Sequence, residues 1–220
     1  EVARVAEQVD PRNHLAFGIS RNMMAYLATI AGDYASAQQA LASVKSAYEK
    51  SGLGSWPSTY TLCFEGCIEM IHGNVRAAVQ RFETALKNAT PSGQSVPSAF
   101  LADALYDKGE LDRAGSLAED HIRLNREIAP PDIVILSYRV AARVSFLNGN
   151  LDHAESLLTE LGDIGDMRGV PRRKAAAWLE KSRLALLCGD ADAAARYLAL
   201  GANPKIWAPH AGAQFYSQEL

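Results

Sequence analysis

Between Asp132 and Gly162 the apolar residues fall into two helical stripes separated by one polar break. Ile133, Leu136, Val140 and Val144 recur at helical spacing, and Phe146 and Leu147 extend the stripe. Gly149 then interrupts it, as glycine does where a helix ends in the left-handed conformation that other residues adopt only at a cost. Asn150 is placed to cap a second helix, and Asp152 to favour its positive end. Leu151, Ala154, Leu157, Leu158 and Leu161 mark the inner face of that second helix. The pattern predicts a helical hairpin.

The same hairpin is written five times. Gly32, Gly73, Gly109, Gly149 and Gly189 recur at intervals of about 40 residues, a period that marks an array of supersecondary units. Five residues after each glycine stands an alanine: Ala37, Ala78, Ala114, Ala154 and Ala194. Seven residues before each glycine the residue is again small: Ala25, Gly66, Ala102, Ala142 and Ser182. Two helices joined by so short a turn must approach closely at these positions, and a large side chain would wedge them apart. Asp33, Asn74 and Asp190 repeat the cap expected of Asn150, whereas Glu110 is a poor cap with Asp112 in the first turn behind it. Pro57, Pro97, Pro131 and Pro171 fall near the starts of the first helices, where a missing N–H is harmless.

Polar or Gly/Pro-rich punctuation at 51–57, 90–97, 129–132 and 162–171 separates the units. The shorter step from Gly73 to Gly109 implies a shorter first helix in the third unit. The expectation is an all-α solenoid of about five antiparallel helix pairs, one helical-repeat domain over 1–220. Its repeats lie roughly at 12–50, 57–90, 97–127, 131–164 and 170–200, with a tail at 201–220 that has room for a short helix.

Composition narrows the chemistry. A net charge of −3 argues against a dedicated nucleic-acid surface, and 48% apolar residues is ordinary for a folded chain. No run approaches the length of a membrane span. Glu1-Val2-Ala3-Arg4 has neither an initiator Met nor the apolar core of a signal peptide, which suggests a piece of something larger. Three cysteines without framework spacing fit a reducing, cytoplasmic setting. Cys63 and Cys67 share a helix face, but His72 is rotated away from them, so a structural role is expected there and ordinary packing for Cys188. His14, His72, His121, His153 and His210 are scattered without partners at catalytic spacing. No catalytic residue, metal or cofactor is expected, and with no phosphate-cradling G-x-x-x-x-G-K-[ST] stretch, ATP hydrolysis has no place in these residues. Arg172-Arg173-Lys174 reads either as a solvated helix start or, because positive charge opposes the helix dipole there, as a contact for an anionic partner.

A small residue, a glycine seven on and an alanine five further on form the skeleton of the tetratricopeptide repeat, which this chain resembles throughout. A narrower resemblance lies in Leu101-Ala102-Asp103-Ala104-Leu105-Tyr106 with Gly109-Glu110-Leu111-Asp112, in Pro131-Asp132-Ile133-Val134, and in Gly169-Val170-Pro171-Arg172 with the Ala/Leu-rich helix that ends at Gly189-Asp190. These are similar to the helical-repeat sensor region of large ATP-dependent LuxR-type bacterial transcriptional activators, the maltose regulon activator family. The resemblance implies a right-handed α-solenoid that binds a small effector or a protein partner. It also implies an ATPase domain before the repeats and a helix-turn-helix after them in the parent protein, while the charge and the apolar run lengths predict no nucleic-acid or membrane contact by the repeats themselves.

By analogy with such repeats, the concave wall is formed by residues ten, six and three before each glycine. These are Asn22, Tyr26 and Thr29; Cys63, Cys67 and Met70; Ala99, Asp103 and Tyr106; Arg139, Arg143 and Phe146; Leu179, Arg183 and Leu186. Tyr26, Asp103, Tyr106, Arg139, Arg143 and Arg183 are the candidate ligand-binding residues, since guanidinium forks and aromatic faces suit a small polar ligand or an extended peptide. The alternative is a tetratricopeptide adaptor that docks a partner peptide and senses no ligand.

Overall fold

A computed structural model of the chain describes residues 8, 10, 12–51 and 56–207, apart from the side chains at 30, 51 and 56–58. All regular structure among these residues is helical: α1 (His14–Ile30), α2 (Tyr34–Ser51), α3 (Trp56–Ile71), α4 (Val75–Asn88), α5 (Ser95–Asp107), α6 (Leu111–Ile128), α7 (Pro131–Leu147), α8 (Leu151–Met167), α9 (Pro171–Leu187), α10 (Ala191–Gly201) and α11 (Pro204–Trp207). The chain divides into two compact units, Glu1–Ala104 and Leu105–Leu220. In the first, α1 packs on α2 and α3 on α4; in the second, α7 packs on α8 and α9 on α10. This is the expected all-α array of helix pairs.

Each turn is built as the glycine register requires. Gly32, Gly73, Gly109, Gly149 and Gly189 all have φ between 77° and 83°. At Gly149 the amide donates to the Phe146 carbonyl and that of Asn150 to the Ser145 carbonyl, both at 2.9 Å, which satisfies carbonyls the helix end would leave open. Asn150 and Asp190 then accept from His153 N and Ala193 N as caps, and Asp33 from Ser36 N. Asn74 does not cap: its side-chain amide donates to Glu69 instead, at 2.9 Å. Glu110 makes no capping bond either and is held by Lys108 and Arg113.

The small residues sit where the helices of a pair cross. Ala25, Ala37, Ala78, Ala102, Ala114 and Ala154 are fully buried. Gly66 shows how close the approach is, because a methyl there would lie 2.4 Å from the Phe82 ring. Phe82 in turn stacks on Phe100 at 5.6 Å, which ties α4 to α5. In the third repeat α5 has 13 residues against 17 in α7 and α9, and the chain before it is taken up by a 3-10 turn, Pro91–Gln94, capped by Thr90.

One detail departs from the sequence reading. The punctuation expected from Gly162 begins later, because α8 continues through Gly162 and Gly165 to Met167. The turn is made by a sixth left-handed glycine, Gly169, with the Val170 amide donating to Gly165 at 2.8 Å. The tail holds the short helix it had room for: α11 is held by the Trp207 indole donating to the Gly201 carbonyl at 2.7 Å. The linker at 52–55 and the tail beyond 207 lie outside the described residues.

The two interior glycines of α8 should respond oppositely to a methyl group. At Gly162 the nearest side-chain atoms would be 4.0 Å from a new Cβ, so Gly162→Ala should stabilise by up to about 1 kcal/mol through helix propensity. At Gly165 the new Cβ would meet the Lys174 backbone nitrogen at 3.0 Å and Arg173 Cβ at 3.1 Å, so Gly165→Ala should destabilise by about 1–3 kcal/mol. Urea unfolding of both variants tests the pair.

Candidate functional site

The candidate wall residues divide between the two units. In the first, Tyr26 is half-buried with its ring 5.4 Å from that of Phe64. Asn22 and Thr29 are buried and already engaged. The Asn22 amide donates to the Tyr48 hydroxyl at 2.9 Å and accepts from Thr61 at 3.1 Å, while Thr29 donates to the Ala25 carbonyl at 2.8 Å. Asp103 is half-buried, and its charge acts on Cys67.

In the second unit the first helices bring a polar group together. Tyr106, in the last turn of α5, lies with its ring 5.8 Å from the Arg143 guanidinium of α7. Arg143 forms a forked pair with Glu180 of α9, Nε to Oε2 at 2.9 Å and Nη2 to Oε1 at 2.7 Å. Their side chains are only 11% and 6% exposed. Two parallel charge-assisted bonds in a desolvated place fix the relative position of both helices. Arg139, one turn before Arg143, is buried. Arg183 is half-buried and forms no ion pair among the described residues, and Leu186 beyond it is exposed.

Glu180 changes what this wall can do. Three arginines with one carboxylate were expected to offer open guanidinium groups, yet the Arg143 charge is neutralised inside the fold. The row was counted ten, six and three residues before each glycine, and Glu180 lies nine before Gly189. A signal was present: at that register the other repeats carry Met23, Phe64, Phe100 and Val140. A carboxylate in an apolar register position announces a buried partner.

The basic cluster is not a solvated helix start. The Arg172 side chain is 11% exposed and bonds Asp132 at 2.6 Å, and Arg173 is buried. Lys174 reaches Asp166 at 2.6 Å and lies over the Trp178 ring. Asp132 and Arg172 hold the same register position in successive repeats, so the pair joins one repeat to the next. Arg126–Glu160 and Arg168–Glu127, each at 2.8 Å, span similar separations.

The cysteines also need one correction. Cys63 is buried, and burial, followed by the neighbouring Cys67, pushes its thiol well above the usual range. Burial, with Asp103 second, pushes Cys67 up to about 12. Cys188 is exposed at the end of α9 rather than packed, because the residue before a left-handed glycine turn points away from the pair. No group of three or more His, Cys, Asp or Glu with metal-ligand geometry occurs among the described residues. Among the same residues, no helix is long and apolar enough to cross a membrane.

The profile of the MalT-like TPR region matches residues 4–210 of this chain. Serine/threonine-protein kinase PknK of Mycobacterium tuberculosis (strain CDC 1551 / Oshkosh) is 30% identical over 147 residues, which cover 64% of this chain and 13% of the kinase. PknK of M. tuberculosis strain ATCC 25618 / H37Rv and of Mycobacterium bovis strain ATCC BAA-935 / AF2122/97 align with the same identity and coverage. The chain thus spans only a small part of the length of these relatives. The crystal structure of the apo form of RapI superposes with a TM-score of 0.57 at 12% identity, covering 92% of this chain and 56% of that one, which shows a shared fold.

Two outcomes follow from this geometry. Arg143→Met alone leaves Glu180 buried without a partner and should lose about 3–5 kcal/mol in urea unfolding, whereas the double change Arg143→Met with Glu180→Leu should recover most of it. Alkylation of the folded chain at pH 8 should modify the exposed Cys188 quickly, the half-buried Cys67 slowly and the buried Cys63 only on unfolding, since raised pKa values disfavour the thiolate at the last two. Mass spectrometry of the adducts reads the result.

Proposed function

Because this chain belongs to the MalT-like TPR region family, we propose that it is the effector-sensing and protein-contact region of a LuxR-type bacterial transcriptional regulator. The repeats take a small polar ligand against the first-helix wall. Nucleotide hydrolysis and DNA reading belong to adjoining ATPase and helix-turn-helix domains of a cytoplasmic parent protein. The observation that carries the reading is the group Tyr106, Arg143 and Glu180, a desolvated ion pair with an aromatic face beside it, in a row of first helices that also carries the buried Arg139 and the half-buried Arg183. Tyr26 and Asp103 hold the same register in the other unit, six residues before their glycines, and are candidate contacts there.

The chemistry of the pair selects among ligands. Arg143 and Glu180 together are neutral, so the pair suits hydroxyl-rich or amide-bearing ligands better than strongly charged ones, with the Tyr106 ring as a stacking face. Arg183 supplies the remaining positive charge for a carboxylate or phosphate edge. A ligand that bonds both Arg143 and Glu180 strengthens the contact between successive repeats. It biases the parent protein only as far as it prefers one arrangement of that contact to the other.

A thermal-shift screen of small metabolites, followed by calorimetry, tests this directly. Tyr106→Ala and Arg183→Ala remove wall contacts without stranding a buried charge. Each should weaken a stabilising metabolite by roughly tenfold or more while the melting temperature of the free protein stays within a few degrees. Full affinity in both variants places the ligand elsewhere. A screen without metabolite hits, together with a peptide that binds and is lost in the same variants, would give the wall to a protein partner.

A further inference from the structure

Among the described residues no carboxylate forms an ion pair with Arg173. It stands in the first turn of α9 at 3% exposure, and among the same residues neither its Nε nor its Nη1 has a hydrogen-bond partner. A guanidinium keeps its proton at any physiological pH, so this is a buried charge, and an uncompensated buried charge is among the costliest features a fold can contain. One repeat earlier the same register position is Ile133, a core residue at 6% exposure. The fold therefore has an apolar solution for this place and carries an arginine there instead.

The surrounding charges do not make good the deficit. Arg126 is paired with Glu160 and Glu127, Arg168 with Glu127, Arg172 with Asp132, and Lys174 with Asp166. Each of these carboxylates is already held by another cation, so the cluster is one negative charge short and the shortfall falls on Arg173. Burial first, then Arg168 and Arg172, disfavour its charge, and the opposing influence of Tyr138 and of Asp132, which Arg172 already holds, does not offset them. Val170 at the cap of α9 supplies no side-chain acceptor, so the positive end of a 17-residue helix adds to the same field. A helix start alone would mean little; the unpartnered guanidinium buried in it is the independent observation.

We propose that the start of α9 is a binding site for a small oxyanion, a phosphate or carboxylate group held by Arg173. The site is distinct from the wall at Tyr106 and Arg143. Arg168 and Lys174, with side chains 45% and 37% exposed, are the surface groups that move to admit the anion. Once bound, the anion supplies the missing charge where α8, α9 and the start of α7 meet, and so stabilises the joint between the last two repeats of the unit.

Thermal unfolding in inorganic phosphate, in acetate and in chloride at matched ionic strength is the test. Millimolar phosphate should raise the melting temperature by roughly 2–4 °C over chloride. A matching rise in acetate assigns a general oxyanion site, and no rise in acetate assigns a phosphate site. Arg173→Met should abolish the rise and, having removed a buried charge, should melt no lower than the wild type in chloride. Arg173→Lys keeps the charge and should keep part of the rise, which preserves the reading if the Met variant folds poorly. Equal melting temperatures in all three salts, or the same phosphate rise in Arg173→Met, overturns the proposal. Tyr106 and Arg183 are untouched in these variants, so the result is independent of the ligand wall.

Discussion

Close approach of two helices at a pair of small residues is the constraint on which the rest of this structure depends. A left-handed glycine reverses the chain, and the residues seven before and five after it must then be small enough for the backbones to meet. Because that crossing recurs with the same register, every other position inherits an orientation from its distance to the glycine. Gly66 against Phe82 shows how little freedom remains, since even one methyl has no room. Such repeats contact mainly their neighbours, so stability is the sum of within-pair packing and the joints between successive pairs.

Those joints differ in chemistry between the units. In the first, neutral contacts join the repeats: Asn22 bridges Tyr48 and Thr61, and Phe82 stacks on Phe100. In the second, they are ionic, with Arg126–Glu160, Arg168–Glu127, Arg172–Asp132 and Arg143–Glu180 each linking residues about one repeat apart. The exposed pairs among these contribute little energy individually. The buried Arg143–Glu180 pair acts differently, because its two charges tolerate no other register once they are out of water. A ligand touching this pair acts on the joint between repeats rather than on one helix.

Glu180 and Arg173 belong to the same helix and break the same rule. Each places a charge at a register position that the preceding repeat fills with a core residue, Val140 and Ile133. Glu180 is answered within the chain, and Arg173 is not answered by any described residue. Local violations of an otherwise consistent pattern are where function concentrates, because packing alone would have selected the apolar residue. That contrast separates a charge used to set register from a charge kept for something outside the chain.

The sequence alone determined the helix pairs, their turns, the buried alanines and the shortened α5, because these depend on local periodicity and on the conformational range of glycine. It left the end of α8 too early, since Gly162 and Gly165 look like breakers until α9 is seen packing against them. It named Arg139, Arg143 and Arg183 as a row but not their partner. Pairing across about 40 residues depends on how one repeat stacks on the next. Only the tertiary structure decided that Arg143 is neutralised, that Arg172 and Lys174 are paired, and that Arg173 is buried without a counter-ion. The physical reason is that charge has no periodicity of its own: apolar spacing reports which face is inside, and only three-dimensional proximity reports which charges meet.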